Sequence, residues 1–244
     1  MEKNCIINKR MLLSVLISIV IMGHTYITSD IHWKESDVLQ LLTFPMAMSM
    51  FNPFAAIFPA FPHAMSFTED YNTSFFHFVL TRCTRGKYIL RKIFSVGLSG
   101  GFMMFLSYGF IFLIAFLIGA PTTTENVSEF YLNTLWYPIA AIWGGGLVLL
   151  LKLTLAFLFG LVWSNICLFL SVLFLNRYVA FIGTFIMYQF LWQALSANIW
   201  NPVYLLRGDW GYASYWQPVL IQTFIFSIVC VLNWIGLKGR LKNG

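Results

Sequence analysis

The chain of 244 residues is 59% hydrophobic and only 10% charged, with a formal net charge of +6. Soluble domains carry about 25% charged residues to solvate their surface, so this composition excludes a soluble enzyme, a nucleic-acid-binding domain and a disordered chain. The apolar residues stand in blocks of about 20, which as helices are long enough to cross a hydrocarbon core. The sequence therefore predicts an all-α membrane protein.

Six apolar runs predict six membrane-spanning helices within one transmembrane domain, residues 1–244. The first run is too long for the apolar core of a signal peptide, and no small-residue cleavage site follows it. A further apolar stretch, 137–149, contains the triplet Gly144–Gly146 and is expected to be a re-entrant or interfacial piece on the outer side. The six predicted spans are 11–28, 38–62, 93–119, 150–175, 178–199 and 217–237.

The distribution of basic residues predicts the orientation of these spans. With both termini in the cytoplasm, nearly all Lys and Arg fall on inner segments, and only Lys34 and Arg207 fall on outer ones. The ammonium of Lys152 is expected to reach water at the outer end of the fourth span. Tryptophans near the predicted outer ends indicate an interfacial belt: Trp33, Trp136, Trp143, Trp200, Trp210 and Trp216.

The inner loop between the second and third spans, 63–92, carries an aromatic pattern. Aromatic residues spaced by four, four and three predict one apolar face of a short amphipathic helix over 66–83. A basic turn follows at Arg82 and Arg85. Such a helix either lies on anionic lipid or docks on a protein. The aromatic residues are Phe67, Tyr71, Phe75 and Phe78.

Polar residues within the spans cluster on faces that are expected to look into protein or a water-filled cavity, because polar groups turned to lipid are costly. They either bond neighbouring helices or line a pathway. The second span also contains several prolines, which can kink it. Gly97 and Gly101 in the third span favour a close helix approach. The polar candidates are Ser14 and Ser18, Ser49 and Asn52, and Gln189 and Gln193.

The motifs of nucleotide-driven and hydrolytic chemistry are missing from the sequence. Gly86-Lys87-Tyr88 lacks the glycine spacing and the Ser or Thr of a Walker motif, and no histidine stands at zinc-protease spacing from a Glu. No Gly-x-Ser-x-Gly elbow occurs. The chain itself is therefore predicted to be no enzyme and to hold no cofactor or metal, and active transport would need energy from a partner.

The topology and several loose motifs resemble the permease subunits of bacterial type-2 ATP-binding-cassette exporters. The inner loop reads Phe67-x-Glu69 and then Arg82-x-x-Arg85-x-x-Tyr88-x-x-x-Lys92. Asn176-Arg177-Tyr178-Val179-Ala180 separates the fourth and fifth spans, and Asn201-Pro202 follows the fifth. Ser74 stands where many members of that family have a glycine, and the stretch before the first span is shorter than theirs.

The resemblance implies a multi-pass protein of the bacterial cell membrane that pairs with a second permease copy or a sister permease. Each permease would dock one cytoplasmic ATPase, in which ATP and Mg²⁺ bind. The first, second and fifth spans would line the pathway for an amphipathic or hydrophobic peptide, drug or lipid-like cargo, with peptide export preferred. The helix 66–83 would couple to the ATPase through Phe67, Glu69, Tyr71, Phe75, Phe78, Arg82 and Arg85.

Two other functions fit the same sequence. An ATP-independent membrane protein could provide immunity by blocking or sequestering a membrane-active peptide. An intramembrane enzyme fits less well, because no catalytic pair is visible. An ATPase gene beside this one would favour the exporter over both.

Overall fold

The computed structural model describes residues 8–28, 36–64, 66–119, 134–208 and 211–243, and their secondary structure is helical. Eleven helices are numbered here in chain order. They are α1 Lys9–Thr28, α2 Val38–Met48, α3 Ile57–Ala60, α4 Ser66–Asn72, α5 Phe75–Leu80, α6 Arg85–Ile118, α7 Trp136–Trp143, α8 Gly145–Phe174, α9 Arg177–Ala194, α10 Pro202–Arg207 and α11 Trp216–Asn243, with a 3-10 turn at Asn52–Phe54.

Four of these helices, α1, α6, α8 and α11, are long and apolar enough to cross a membrane. The pair Val38–Met48 and Asn52–Ala60 makes a fifth candidate span, bent by 58°. The chain is therefore an all-α membrane protein with several crossings. Helix α9 has 18 residues, carries Arg177, Gln189 and Gln193, and is not among these candidate spans.

One end of the bundle collects most of the basic side chains, and we call it the basic end. Asn8 Nδ2, just before α1, donates to Pro62 O at 2.9 Å, while Arg240 Nε, near the end of α11, donates to Val172 O at 3.0 Å. Phe67 of α4 and Leu237 of α11 belong to one buried apolar cluster there. The described ends of α1 and α11 thus lie at the same end of the bundle as α4.

Helix α8 is central and packs against α6, α9 and α11. Its contact with α6 depends on glycines, because a Cβ at Gly160 would fall on the carbonyl of Gly100. A Cβ at Gly97 would lie 2.7 Å from Asn165 Nδ2, and one at Gly101 would lie 2.8 Å from Phe157 Cε2. The close approach expected at Gly97 and Gly101 is confirmed, and Gly100–Gly160 is a tighter contact beside it.

The second predicted span is not one continuous helix. Asp37 caps α2 by accepting a hydrogen bond from Leu39 N at 3.1 Å, and the helix ends at Met48. Pro53 and Pro59 follow, and neither has an N–H to continue a helical ladder. The segment 38–62 is therefore two short helices joined by a 3-10 turn, and its kink is a full break.

The opposite end of the bundle holds two short helices, α7 and α10. Gly144, at φ 81°, separates α7 from α8. Asn201 caps α10 by accepting from Val203 N at 2.9 Å, and Gly208, at φ 66°, ends it. Most of α10 is buried, so this helix is inserted into the bundle rather than laid on it.

Two expectations for the outer end are wrong. Lys152 is fully buried: its Nζ donates to Arg207 O at 3.2 Å and lies 4.5 Å from the Trp136 ring centroid. The ammonium thus meets the carbonyl end of α10, where a cation is favourable, and does not reach water. Trp136 is buried beside it, whereas Trp143, Trp200 and Trp216 are exposed as a belt requires. Trp33 and Trp210 lie outside the described residues.

Candidate functional site

The inner loop forms two short helices at the basic end, α4 and α5, which we call the α4–α5 pair. The expected single helix over 66–83 is wrong, because the chain turns at Ser74, whose φ is +54°. The residues 72–74 are Asn-Thr-Ser, whose side chains compete with helical backbone bonds. Thr73 Oγ1 donates to Glu69 O at 2.8 Å, an acceptor that also takes the Thr73 backbone N–H at 3.1 Å. The break thus follows three residues that favour the end of a helix.

The break divides the predicted aromatic face into two sets. The inner set is Phe67, Tyr71 and Phe76. Phe67 is fully buried, and the rings of Tyr71 and Phe76 stack with centroids 5.6 Å apart at 7°. This set belongs to the apolar core of the basic end and holds the α4–α5 pair against it. Phe76 was missed by the sequence analysis, because an unbroken helix would have turned it away from Phe67.

The outer pair is Phe75 and Phe78. Their side chains are 45% and 70% exposed, on the side of α5 that does not pack on the bundle. Arg82 and Arg85 follow and are exposed as well. The α4–α5 pair therefore displays two aromatic rings beside two guanidinium groups, a composition typical of the centre and rim of a protein interface.

Ion pairs tie the α4–α5 pair to two spans. Asp70 Oδ2 accepts from Lys92 Nζ at 2.6 Å and from Tyr88 OH at 2.9 Å, which connects α4 to α6. Glu69 Oε1 accepts from Arg10 Nη1 at 2.9 Å, which connects α4 to α1. The chain immediately before α4 continues into the broken second span. A displacement of α4 would thus reach three membrane segments.

The polar span residues largely converge on the break in the second span. Asn52 Nδ2 donates to Met46 O at 2.6 Å and Ala47 O at 3.1 Å, and Ser49 Oγ accepts from Phe51 N at 3.0 Å. These bonds satisfy backbone groups that the end of α2 leaves without helical partners. Asn52 and Ser49 thus stabilise irregular backbone inside an apolar bundle.

Side chains from α9 reach the same break, and one from α1 bonds α3 just after it. Tyr188 OH donates to Asn52 O at 2.7 Å, Gln189 Nε2 donates to Pro53 O at 2.5 Å, and Ser14 Oγ donates to Phe58 O at 3.4 Å. Ser18 instead bonds its own helix at Ser14 O, and Gln193 is exposed. Three of the six polar candidates, Asn52, Ser49 and Gln189, therefore meet at the break together with Tyr188, and Ser14 bonds α3 beside it.

One buried side-chain acceptor at the break has no hydrogen-bond donor among the described residues. The Oδ1 atom of Asn52 is buried and has no hydrogen-bond partner among the described residues, and the same holds for the hydroxyl of Tyr108. The Tyr108 ring packs edge-on against Phe51, with centroids 5.6 Å apart. Unpaired buried polar atoms are costly, so their presence at irregular backbone points to a polar partner such as water or a ligand.

Comparisons with known proteins identify no relative: no protein-family model, no curated protein and no solved structure matches the chain. The candidate site therefore stands on its own geometry, an anchored α4–α5 pair at the basic end and a polar break in the second span.

Proposed function

We propose that this chain is the membrane-spanning subunit of an ATP-driven exporter in the bacterial cell membrane, with a separate cytoplasmic ATPase as its partner. The observation that carries the proposal is the α4–α5 pair. Its inner aromatic set is fixed in the core, its carboxylates are ion-paired to α1 and α6, and its outer rings, Phe75 and Phe78, face away from the bundle. Such an element can receive force from a docked partner and pass it to the spans.

The proposed topology places the basic end in the cytoplasm, because Lys and Arg concentrate on cytoplasmic segments. It counts α9 as a sixth crossing beside α1, the broken second span, α6, α8 and α11. About 18 residues at 1.5 Å each give roughly 27 Å, which is close to the thickness of the hydrocarbon core. Both termini are then cytoplasmic, on the side where ATP is available to the partner.

The proposed mechanism uses the connections of the α4–α5 pair. When the ATPase closes on ATP and Mg²⁺, the docked pair moves and carries α1 through Glu69–Arg10 and α6 through Asp70–Lys92. The break at 49–56 absorbs the movement, since irregular backbone bends more easily than a continuous helix. ATP thereby favours one of two bundle arrangements through its differential binding.

The cargo pathway is proposed to lie between two permease copies or between this chain and a sister permease, at α1, the broken span and α9. Within one chain the polar groups of Ser49 and Gln189 already bond the break, and Ser14 bonds α3 beside it. The Oδ1 of Asn52 is buried and unpaired among the described residues in this arrangement of the bundle, and we propose that it becomes the polar contact for an amphipathic cargo when the break moves. A peptide fits best, because it combines apolar side chains with backbone donors.

Docking of the ATPase is tested with Phe75→Asp and Phe78→Asp. Burial of one such ring contributes about 2 kcal/mol, so each variant should weaken ATPase binding by about 30-fold, measured by copurification from native membranes. Asn72→Asp is the matched control, since it adds the same charge to the exposed surface of α4 without removing a ring. Equal ATPase recovery with wild type and with both Phe variants would falsify the docking surface.

The alternative, ATP-independent immunity to a membrane-active peptide, makes the opposite prediction. The purified chain would then bind the peptide without an ATPase, and neither Phe75→Asp nor Phe78→Asp would change protection of cells.

A further inference from the structure

A cleft of about 300 Å³ opens at the basic end between the start of α1, the segment before α4 and the start of α9. We propose that this cleft binds the phosphate headgroup of an anionic phospholipid. The residues that line it are Arg10, Phe61, Glu69, Arg177, Tyr178 and Phe181.

The charge of the lining favours an anion. Arg10 and Arg177 each contribute a guanidinium, and Glu69 contributes the one carboxylate in the lining, so one positive charge is in excess. Arg10 uses Nη1 to donate to Glu69. A guanidinium has five N–H donors, which leaves Arg10 donors that can turn to a phosphate oxygen.

The exposed side chain of Arg177 is oriented by its neighbour Tyr178. Its guanidinium carbon lies 4.7 Å from the Tyr178 ring centroid, and its Nη2 donates to Tyr178 OH at 2.8 Å. The planar guanidinium fits a phosphate with two parallel hydrogen bonds, so a fixed orientation reduces the entropy lost on binding. Both residues belong to the first turn of α9, whose positive dipole end adds to the attraction.

The walls of the cleft select a lipid over a soluble anion. Phe61 and Phe181 pack edge-on with centroids 6.1 Å apart, and the Tyr178 ring is largely exposed. Beyond them Val179 and Ile182 are exposed along α9. A phospholipid can place its phosphate between the arginines and its acyl chain along this apolar surface, whereas a free phosphate would leave the aromatic walls uncovered.

The cleft shares Arg10 with the ion pair that connects α1 to α4. A bound headgroup therefore contacts Arg10, one of the residues that connect the α4–α5 pair to the spans. The binding itself requires no ATPase, so it can be tested on the chain alone and stands independently of the exporter proposal.

The test uses the full chain in mild detergent, titrated with short-chain phosphatidylglycerol and, separately, phosphatidylcholine, with bound lipid counted by native mass spectrometry. We expect tighter binding of phosphatidylglycerol. Arg177→Gln leaves the Arg10–Glu69 pair intact and should weaken that binding by about tenfold, because a hydrogen bond to a charged group contributes about that factor. Arg177→Lys keeps the charge without the planar fork, so its affinity for phosphatidylglycerol should lie between that of the wild type and that of Arg177→Gln.

The matched control is Lys87→Gln, which removes one exposed positive charge of the same end of the bundle from outside the cleft. It should change phosphatidylglycerol binding by less than about twofold. An equal loss in Lys87→Gln and Arg177→Gln would mean a general basic surface and would overturn the site. Equal binding of the two lipids, or binding of sn-glycerol phosphate as tight as that of phosphatidylglycerol, would overturn the assignment to an anionic lipid.

Discussion

Replacing Asp70 by Asn tests whether the α4–α5 pair is firmly joined to α6. The change preserves the shape of the side chain but removes the negative charge of the carboxylate. The Oδ2 atom of this carboxylate accepts from Lys92 Nζ at 2.6 Å and from Tyr88 OH at 2.9 Å. The side chains of Lys92 and Asp70 are 12% and 23% exposed. This pair therefore lies between exposed pairs, worth about 0–1 kcal/mol, and buried ones, whose breakage costs about 3–5 kcal/mol.

We expect Asp70→Asn to lower the free energy of unfolding by about 2 kcal/mol, a value typical of a hydrogen bond to a charged group. The measurement is equilibrium unfolding in mixed micelles, followed by circular dichroism. A double-mutant cycle with Lys92→Met separates the pair from other effects, and its coupling energy should be about 1.5 kcal/mol.

The Arg10–Glu69 pair provides an internal comparison. Its side chains are 48% and 40% exposed, so the cycle of Arg10→Gln and Glu69→Gln should give a coupling energy below about 1 kcal/mol. If Asp70→Asn and Lys92→Met were additive, or if the two cycles gave equal coupling, the reasoning that burial strengthens the connection to α6 would be refuted.

Three further changes test single features. Ser74→Gly should raise the free energy of unfolding by about 1 kcal/mol, because φ +54° strains a residue with a Cβ; an unchanged value contradicts the strain. Gly160→Ala should destabilise by about 3 kcal/mol through overpacking, whereas Gly23→Ala, with open space around it, should not; equal effects of the two contradict the close helix contact. Lys152→Met should cost about 2 kcal/mol by removing the buried cation from Trp136. Lys87→Met, on the exposed surface, should change the free energy of unfolding little. Equal losses in Lys152→Met and Lys87→Met would refute the role of burial.

The long spans were predictable because their signal is local. Twenty consecutive apolar residues suffice to identify a membrane helix, and the apolar runs correspond to α1, α6, α8 and α11. The basic residues predicted two cytoplasmic termini, and the start of α1 and the end of α11 lie at the same end of the bundle. The break of the second span was foreseen only as a kink, because a proline shows that an N–H is missing but not how far the chain bends.

The aromatic loop illustrates a limit of periodicity. Spacings of four, four and three predicted one helix face, yet Ser74 adopts a left-handed conformation and turns Phe76, not Phe75, toward Phe67. A left-handed φ suits glycine, which has no Cβ, better than it suits serine. The aromatic spacing alone gave no indication that the helix breaks at this position.

The burial of Lys152 was not predictable, because its partner is remote in sequence. The carbonyl of Arg207 comes 55 positions later, and α10 must insert into the bundle before the two atoms can meet. The cleft between Arg10 and Arg177 has the same origin, since two distant helix starts form it. Sites of this kind follow from tertiary packing and leave no pattern within a window of neighbouring residues.

ATP hydrolysis by the complex purified through this chain tests the proposed function most directly. The chain would be isolated from its native membranes in mild detergent, reconstituted in lipid vesicles and supplied with ATP and Mg²⁺. The exporter proposal predicts vanadate-sensitive hydrolysis that copurifies with the wild-type chain and falls to background with Phe78→Asp. Protection against a membrane-active peptide by a chain that brings no hydrolytic activity with it would contradict the exporter proposal.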